Sequence, residues 1–166
     1  MMDIPRLEHL FFYTTWECNL RCRHCWVGKY TDKPTQLTVE AVGNTIDQAL
    51  AFGLRHIKLS GGEPLLTRSI TQFIIEKASA NGVGVNMETN GTLLDEEWAD
   101  FLAANNVSVS ISIDSDVEEE HDAFRGMRGA FRASLCALDL MYDRGQPAGV
   151  VMSISSPDYD KIERRI

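Results

Sequence analysis

The chain has 166 residues, of which 44% are hydrophobic and 24% charged, and its net charge is -8. This is enough sequence for a buried core, and we expect residues 1–166 to form one domain. The negative charge argues against nucleic acid as a general partner, and no stretch reaches the roughly 20 apolar residues of a membrane helix. Because the N-terminus lacks the basic and apolar pattern of a secretion signal, we expect a cytoplasmic protein that binds neither nucleic acid nor membranes.

Strand and helix patterns alternate along the chain. The strand candidates are short apolar or β-branched runs that end in polar or glycine residues, and the helix candidates carry apolar residues at helical spacing. Thr38 and Asp95 are of the residue types that cap helix N-termini. The predicted strands are 9–15, 57–59, 83–89, 107–113 and 149–154. The predicted helices lie between Thr38 and Gly53, over about 70–78, after Asp95, near 121–124, from about 130 to 143, and from Asp158 onward.

This alternation predicts an α/β fold in which parallel strands are joined by right-handed crossovers. Ligand sites of such folds lie at the carboxyl ends of the strands. Five strand-helix units without a sixth predict a partial TIM-like barrel, truncated before the sixth unit. A doubly wound parallel sheet has the same local pattern, so periodicity alone leaves both architectures open.

Three of the four cysteines fall within eight residues, after the first predicted strand; they are Cys18, Cys22 and Cys25. Thiolates on a short loop suit an iron-sulfur cluster, and three ligands for four irons leave one iron open to a chelating substrate. Zinc is the alternative, with His24 as a fourth ligand, although structural zinc sites usually combine two pairs of ligands. Cys136 lies between leucines on a predicted helix, and we expect it to pack in the core.

The spacing C-x3-C-x2-C after a first strand, with an aromatic-type residue before the last cysteine, resembles the radical S-adenosylmethionine (SAM) superfamily. Residues 61–64, Gly-Gly-Glu-Pro, resemble the family segment that binds the amino end of SAM, where Glu63 would face the ammonium group. Residues 88–91, 112–115 and 121–126 resemble the core domain of SPASM-type peptide and protein maturases.

The resemblance implies a set of residues at the SAM site. Ser112 or Asp114 would face the ribose, and Arg125 would either reach the methionine carboxylate or brace the cysteine loop. No catalytic side chain is assigned beyond the cluster ligands. The implied SAM-binding residues are Gly61, Gly62, Glu63, Pro64, Asn90, Ser112, Asp114 and Arg125.

The resemblance also implies an enzyme with a 4Fe-4S cluster and SAM as cofactors. SAM bound at the open iron would accept an electron and yield methionine and a 5'-deoxyadenosyl radical, which removes hydrogen from a substrate. The implied substrate is a peptide or protein undergoing maturation. Haem or other cofactor biosynthesis is one alternative, and a non-catalytic iron-sulfur or peptide-binding partner is another.

The implied electron donor is an acidic protein such as a flavodoxin or ferredoxin. Arg21, Arg23 and Lys29 give the cysteine loop a local positive charge that could attract it, although an ordinary solvated basic loop has the same composition. Compared with a complete family member, the sequence has no sixth strand and no cysteine-rich tail. We therefore expect residues 1–166 to be a radical SAM core domain, incomplete at its C-terminus, of a longer enzyme.

Overall fold

The strands of the chain form one parallel sheet. The computed structural model describes residues 6–30, 37–146 and 148–154, so the helix predicted from Asp158 lies outside the described residues. Within them the strand order follows the chain order, and every neighbouring pair is parallel. The strands are β1 (His9–Tyr13), β2 (His56–Ser60), β3 (Gly84–Thr89), β4 (Ser108–Ser112) and β5 (Gly149–Val151).

The helices connect the strands. Thr38 and Asp95 cap α1 and α3 as predicted, because their side chains accept hydrogen bonds from the backbone N–H groups of Ala41 and Trp98. Two 3-10 turns, Val27–Tyr30 and Pro64–Thr67, were not predicted from the sequence. No helix in the described part of the chain is both long and apolar enough to cross a bilayer. The helices are α1 (Val39–Ala51), α2 (Arg68–Ala80), α3 (Glu96–Ala104), α4 (Glu118–Arg125) and α5 (Ala130–Asp143).

The sequential strand order distinguishes the two architectures that periodicity left open. In a doubly wound sheet the order reverses at a switch point, whereas in a TIM-like barrel each strand lies beside the previous one. The order β1-β2-β3-β4-β5 is that of the barrel. The prediction of an α/β fold with a partial TIM-like barrel is therefore confirmed. Four described strands are shorter than their predicted ranges, and β2 is longer than predicted by one residue at each end.

The two faces of the sheet differ in polarity. One face packs under the helices and carries the apolar residues Leu59, Met87 and Ile111, which are fully buried. Because successive strand residues point to opposite faces, the residues between them form the other face, which is largely polar in β2, β3 and β4. Hydrophobic burial thus fixes the sheet from one side and leaves a polar face and the strand ends available for a site.

Cys136 does not pack in the core, so that prediction is wrong. The side chain is exposed, and so is that of Leu135. The buried stripe of α5 is instead formed by Ala130, Ser134, Ala137 and Met141. The small residues of this stripe bring α5 close to the sheet, Leu138 packs at the edge of the core, and Leu135 and Cys136 face away from it.

Candidate functional site

A cavity lies where the carboxyl ends of the strands meet. Its wall includes all three clustered cysteines together with Gly61, Gly62, Glu63, Asn90, Ser112 and Arg125. Parallel strands end at the same edge of a sheet, which is why segments distant in sequence meet here. Of the residues predicted to bind SAM, Pro64 and Asp114 do not line this cavity. Pro64 is buried at the start of a 3-10 turn.

The cysteine thiols are partly buried and receive hydrogen bonds. The Sγ of Cys18 accepts from the backbone N–H of Leu20 at 3.4 Å and from Asn90 Nδ2 at 3.8 Å. The Sγ of Cys22 accepts from Arg125 Nη1 at 3.8 Å. Burial raises the pKa of both thiols, and these N–H donors at Leu20 and Arg125 oppose the rise.

The three thiols share a wall rather than a single coordination point. Among the described residues, no three or more His, Cys, Asp or Glu side chains are close enough together to hold one metal ion. His24, the candidate fourth zinc ligand, stacks on Phe124 with ring centroids 4.7 Å apart. Its Nε2 lies 3.2 Å from Ser153 Oγ. The histidine ring thus has its own partners, and it lines the same cavity wall as the three thiols.

The end of α4 braces the cysteine loop. The backbone N–H groups of Arg21 and Arg23 donate to the carbonyl oxygens of Arg125 and Phe124, at 3.1 and 3.0 Å. Gly126 follows with φ of 70°, and a Cβ added there would lie 2.6 Å from the Arg21 carbonyl oxygen. A residue without a side chain is therefore required where the two segments meet.

The glycine turn after β2 packs against the chain that leads into the cysteine loop. The N–H of Gly62 donates to the Thr15 carbonyl at 2.7 Å, and the N–H of Glu63 donates to the Glu17 carbonyl at 2.8 Å. A Cβ added at Gly62 would lie 1.8 Å from the Glu17 oxygen. The sequence suggested that these glycines admit a ligand, and the structure shows that they also admit the backbone of another loop.

The Glu63 carboxylate is buried and joins the second and third strand ends. It accepts hydrogen bonds from Thr89 Oγ1 at 2.7 Å, from the N–H of Asn90 at 2.9 Å and from the N–H of Leu65 at 3.1 Å. Burial raises the pKa of Glu63, and the three donors oppose the rise. The contact of Glu63 with an ammonium group stays a prediction, and the structure adds a bracing role.

Glu63→Gln is expected to lower the free energy of unfolding by about 1–3 kcal/mol. The amide nitrogen of glutamine would face a backbone N–H group whose hydrogen bond the carboxylate now accepts, and that group would lose its partner. The raised pKa means that the folded protein binds the Glu63 proton more tightly than the unfolded chain does. The contribution of this proton to the free energy of unfolding is fully present below the ordinary pKa of glutamate. It is lost as the pH rises through the raised pKa. Because glutamine has no carboxyl proton to lose, the free energy of unfolding of Glu63→Gln should not decline over that pH range.

Urea unfolding at a series of pH values measures both effects. Glu40→Gln, an exposed glutamate in the first turn of α1, is the matched control and should keep the pH profile of the parent chain. If Glu63→Gln and the parent chain lose stability in parallel as pH rises, the Glu63 carboxylate does not contribute as described.

Asp114 and Ser112, the two candidates for the ribose, occupy different environments. Ser112 lines the cavity. Asp114 Oδ2 accepts from Arg125 Nε at 2.5 Å, and its Oδ1 accepts from the backbone N–H of Ser153 at 2.9 Å. The Asp114 backbone N–H donates to Nδ1 of the buried His121 at 3.2 Å. The carboxylate of Asp114 is therefore engaged within the protein, whereas Ser112 lines the cavity; which of the two faces a ribose stays a prediction.

Two kinds of site residue were missed in the sequence. Asn19 bridges the cysteine loop and the turn after β3: its Oδ1 accepts from Asn90 Nδ2 at 3.0 Å, and its Nδ2 donates to Thr92 Oγ1 at 2.7 Å. Its place between two cysteines was the available signal. Ser60 and Glu88 line the cavity from β2 and β3. Their alternation with buried apolar residues could have placed them on the polar face.

Comparisons with known proteins agree with this geometry. The family model described as the radical SAM superfamily matches residues 13–163. The chain is 34% identical to the AdoMet-dependent heme synthase of Methanosarcina barkeri, over 99% of this chain and 47% of that protein. It is 32% identical to the mycofactocin maturase MftC of Mycolicibacterium smegmatis, over 98% of this chain and 44% of that protein. The chain thus spans a little under half the length of these curated relatives.

A solved structure has the same fold. Native anSMEcpe, with bound AdoMet and the Cp18Cys peptide, matches with a TM-score of 0.80 at 24% identity, over 97% of this chain and 47% of the other.

Proposed function

The chain belongs to the radical SAM superfamily, whose enzymes use a 4Fe-4S cluster and SAM, and we propose that Cys18, Cys22 and Cys25 are the protein ligands of that cluster. One observation carries the proposal: three thiols and most of the predicted SAM-binding residues line the same cavity. We propose residues 1–166 as a radical SAM core domain.

The donor set fits the group. Thiolates are the usual ligands of iron-sulfur clusters, and three of them here face one cavity on a loop held from two sides. The remaining wall offers backbone groups at Gly61 and Gly62, a buried carboxylate at Glu63 and a hydroxyl at Ser112. A ligand with amino, carboxylate and hydroxyl groups would meet complementary partners on this wall.

A cluster held by Cys18, Cys22 and Cys25 would supply the electron for reductive cleavage of SAM to methionine and a 5'-deoxyadenosyl radical, which would abstract hydrogen from a substrate. The residues of this chain would bind and orient SAM. Glu63 and the glycine turn would hold the amino end of SAM, Ser112 would face the ribose, and Asn90 would form part of the wall beside it. The α4 end keeps the cysteine loop in position through its backbone contacts.

The substrate that we propose is a peptide or protein undergoing maturation. The similarity to a protein named mycofactocin maturase supports this, and so does the fold shared with an enzyme solved with a peptide. A second candidate is haem biosynthesis, because a relative with 34% identity is named an AdoMet-dependent heme synthase. Either substrate would approach the polar face of the sheet, where Lys58 Nζ and Glu88 Oε1 form an ion pair at 2.5 Å.

We propose a cytoplasmic protein that receives its electron from a flavodoxin or ferredoxin. The positive charge predicted to attract that donor is partly engaged elsewhere. Arg21 donates to the carbonyl oxygens of Cys18 and Leu20 at 2.7 and 2.8 Å, and Arg23 shares a cavity wall with the acidic Glu119 and Glu120. The Lys29 side chain lies outside the described residues.

Anaerobic reconstitution with iron, sulfide, dithionite and SAM tests the proposal. We expect about four irons per chain and the release of 5'-deoxyadenosine and methionine in equal amounts. Iron-loaded protein that binds SAM without cleaving it would indicate the non-catalytic partner, and uptake of one zinc in place of the cluster would refute the iron-sulfur assignment. Addition of a candidate precursor peptide or of a porphyrin then distinguishes the two substrate classes by which of them accelerates SAM cleavage.

A further inference from the structure

Arg125 is a buried cation that contacts a cysteine of the site. It is the last residue of α4, and its side chain is 8% exposed. Its Nε donates to Asp114 Oδ2 at 2.5 Å, and its Nη1 donates to the Sγ of Cys22 at 3.8 Å. One guanidinium thus joins a carboxylate and a thiol across two strand-helix units.

The orientation of this guanidinium is fixed from several sides. The carboxylate of Asp114 is itself held in place, because its Oδ1 accepts a hydrogen bond from the backbone N–H of Ser153 at 2.9 Å. The backbone of the α4 end is bonded to Arg21 and Arg23, which flank Cys22 in the sequence. A planar donor held at its other edge by a carboxylate keeps a defined direction towards the sulfur.

We infer that Arg125, oriented by Asp114, is a positioning residue that donates to the Cys22 thiolate and raises the reduction potential of the cluster that this thiolate binds. The inference rests on the proposed function. Hydrogen bonds to the cysteine sulfurs and nearby charge are among the properties of the protein that set the potential of an iron-sulfur cluster. Reduction adds a negative charge, so a nearby cation and N–H donor stabilise the reduced form more than the oxidised form.

A different role follows if Arg125 bound the methionine carboxylate of SAM. Loss of Arg125 would then weaken SAM binding and leave the potential of the SAM-free cluster unchanged. The potential measured without SAM therefore separates the two roles.

The test is a redox titration of the reconstituted 166-residue chain without SAM, followed by electron paramagnetic resonance, for the parent and for Arg125→Gln. At a fixed applied potential the ratio of reduced to oxidised cluster is expected to fall about tenfold, equal to about 59 mV for a one-electron couple. Arg23→Gln is the matched control. It removes the same charge from the loop beside Cys22, and we expect less than a twofold change in the ratio, about 18 mV.

Equal potentials for the Arg125→Gln and Arg23→Gln variants would overturn the inference. If Arg125→Gln assembles no cluster, Arg125→Lys decides: it keeps the charge but cannot contact Asp114 and Cys22 through one planar group, and a potential equal to that of the parent chain would overturn the inference. Failure of the proposed function is distinguishable, because then the parent chain itself forms no cluster or cleaves no SAM.

Discussion

Replacing Cys22 by alanine is expected to abolish 5'-deoxyadenosine formation. Of the three thiols, Cys22 lies in the middle of the loop and contacts Arg125 across the site. With Cys22 replaced, a 4Fe-4S cluster would keep two of its three proposed thiolate ligands, and thiolates are the ligands that hold such clusters. We expect iron content and SAM cleavage to fall at least about a hundredfold, to the level of an unreconstituted sample.

Cys136→Ala is the matched control for this experiment. It removes the fourth cysteine, which is exposed on α5 outside the cavity, and should leave iron content and SAM cleavage as in the parent chain. Iron and sulfide analysis, together with chromatography of the reaction products, measures both quantities. A Cys22→Ala variant that kept a SAM-cleaving cluster would remove the basis of the site assignment.

The second large effect is expected from Gly62→Ala. The added methyl group would lie 1.8 Å from the Glu17 carbonyl oxygen, a distance at which the two backbones must move apart. That movement breaks the hydrogen bonds to the Thr15 and Glu17 carbonyls. We expect a loss of about 3 kcal/mol in the free energy of unfolding and SAM binding at least about tenfold weaker, because the same turn lines the cavity.

Gly43→Ala is the matched control, because it also replaces glycine by alanine but at a position with room for the added methyl group. Gly43 lies in α1, where a Cβ would contact the Phe73 ring at 3.4 Å. Since alanine favours helix over glycine by about 1 kcal/mol, this variant should be as stable as the parent chain or slightly more stable. Urea unfolding and equilibrium dialysis with SAM give the two readouts. If Gly62→Ala unfolds at the urea concentration of the parent chain, the close approach described here is wrong.

Much of the site could be predicted from the sequence, because its key residues follow the ends of parallel strands. Cys18, Gly62 and Asn90 each come soon after a strand, and such ends meet at one edge of the sheet. The helix caps at Thr38 and Asp95 were also predictable, because a cap depends on residues three positions away.

What the sequence could not show depends on distances across the fold. The approach of Gly62 to the Glu17 backbone and the contact of Arg125 with Cys22 join segments far apart in the chain. The side of α5 that packs on the sheet was wrongly predicted at Cys136, because two adjacent apolar stripes compete and only tertiary packing selects one. Ser112 or Asp114 was predicted to face the ribose, which stays a prediction; the sequence could not show that the Asp114 carboxylate accepts from Arg125 and Ser153.

The shared anchor at Glu63 has an evolutionary consequence. One carboxylate accepts hydrogen bonds from Leu65 on its own loop and from Thr89 and Asn90 on the next loop. A change in the conformation of either loop would therefore leave donors without their acceptor. Changes at positions 63 and 89 should therefore be tolerated in matched pairs more readily than singly, with an energetic coupling that a double-mutant cycle would reveal. A substitution accepted in one loop would in this way change which substitutions are tolerated in the neighbouring loop.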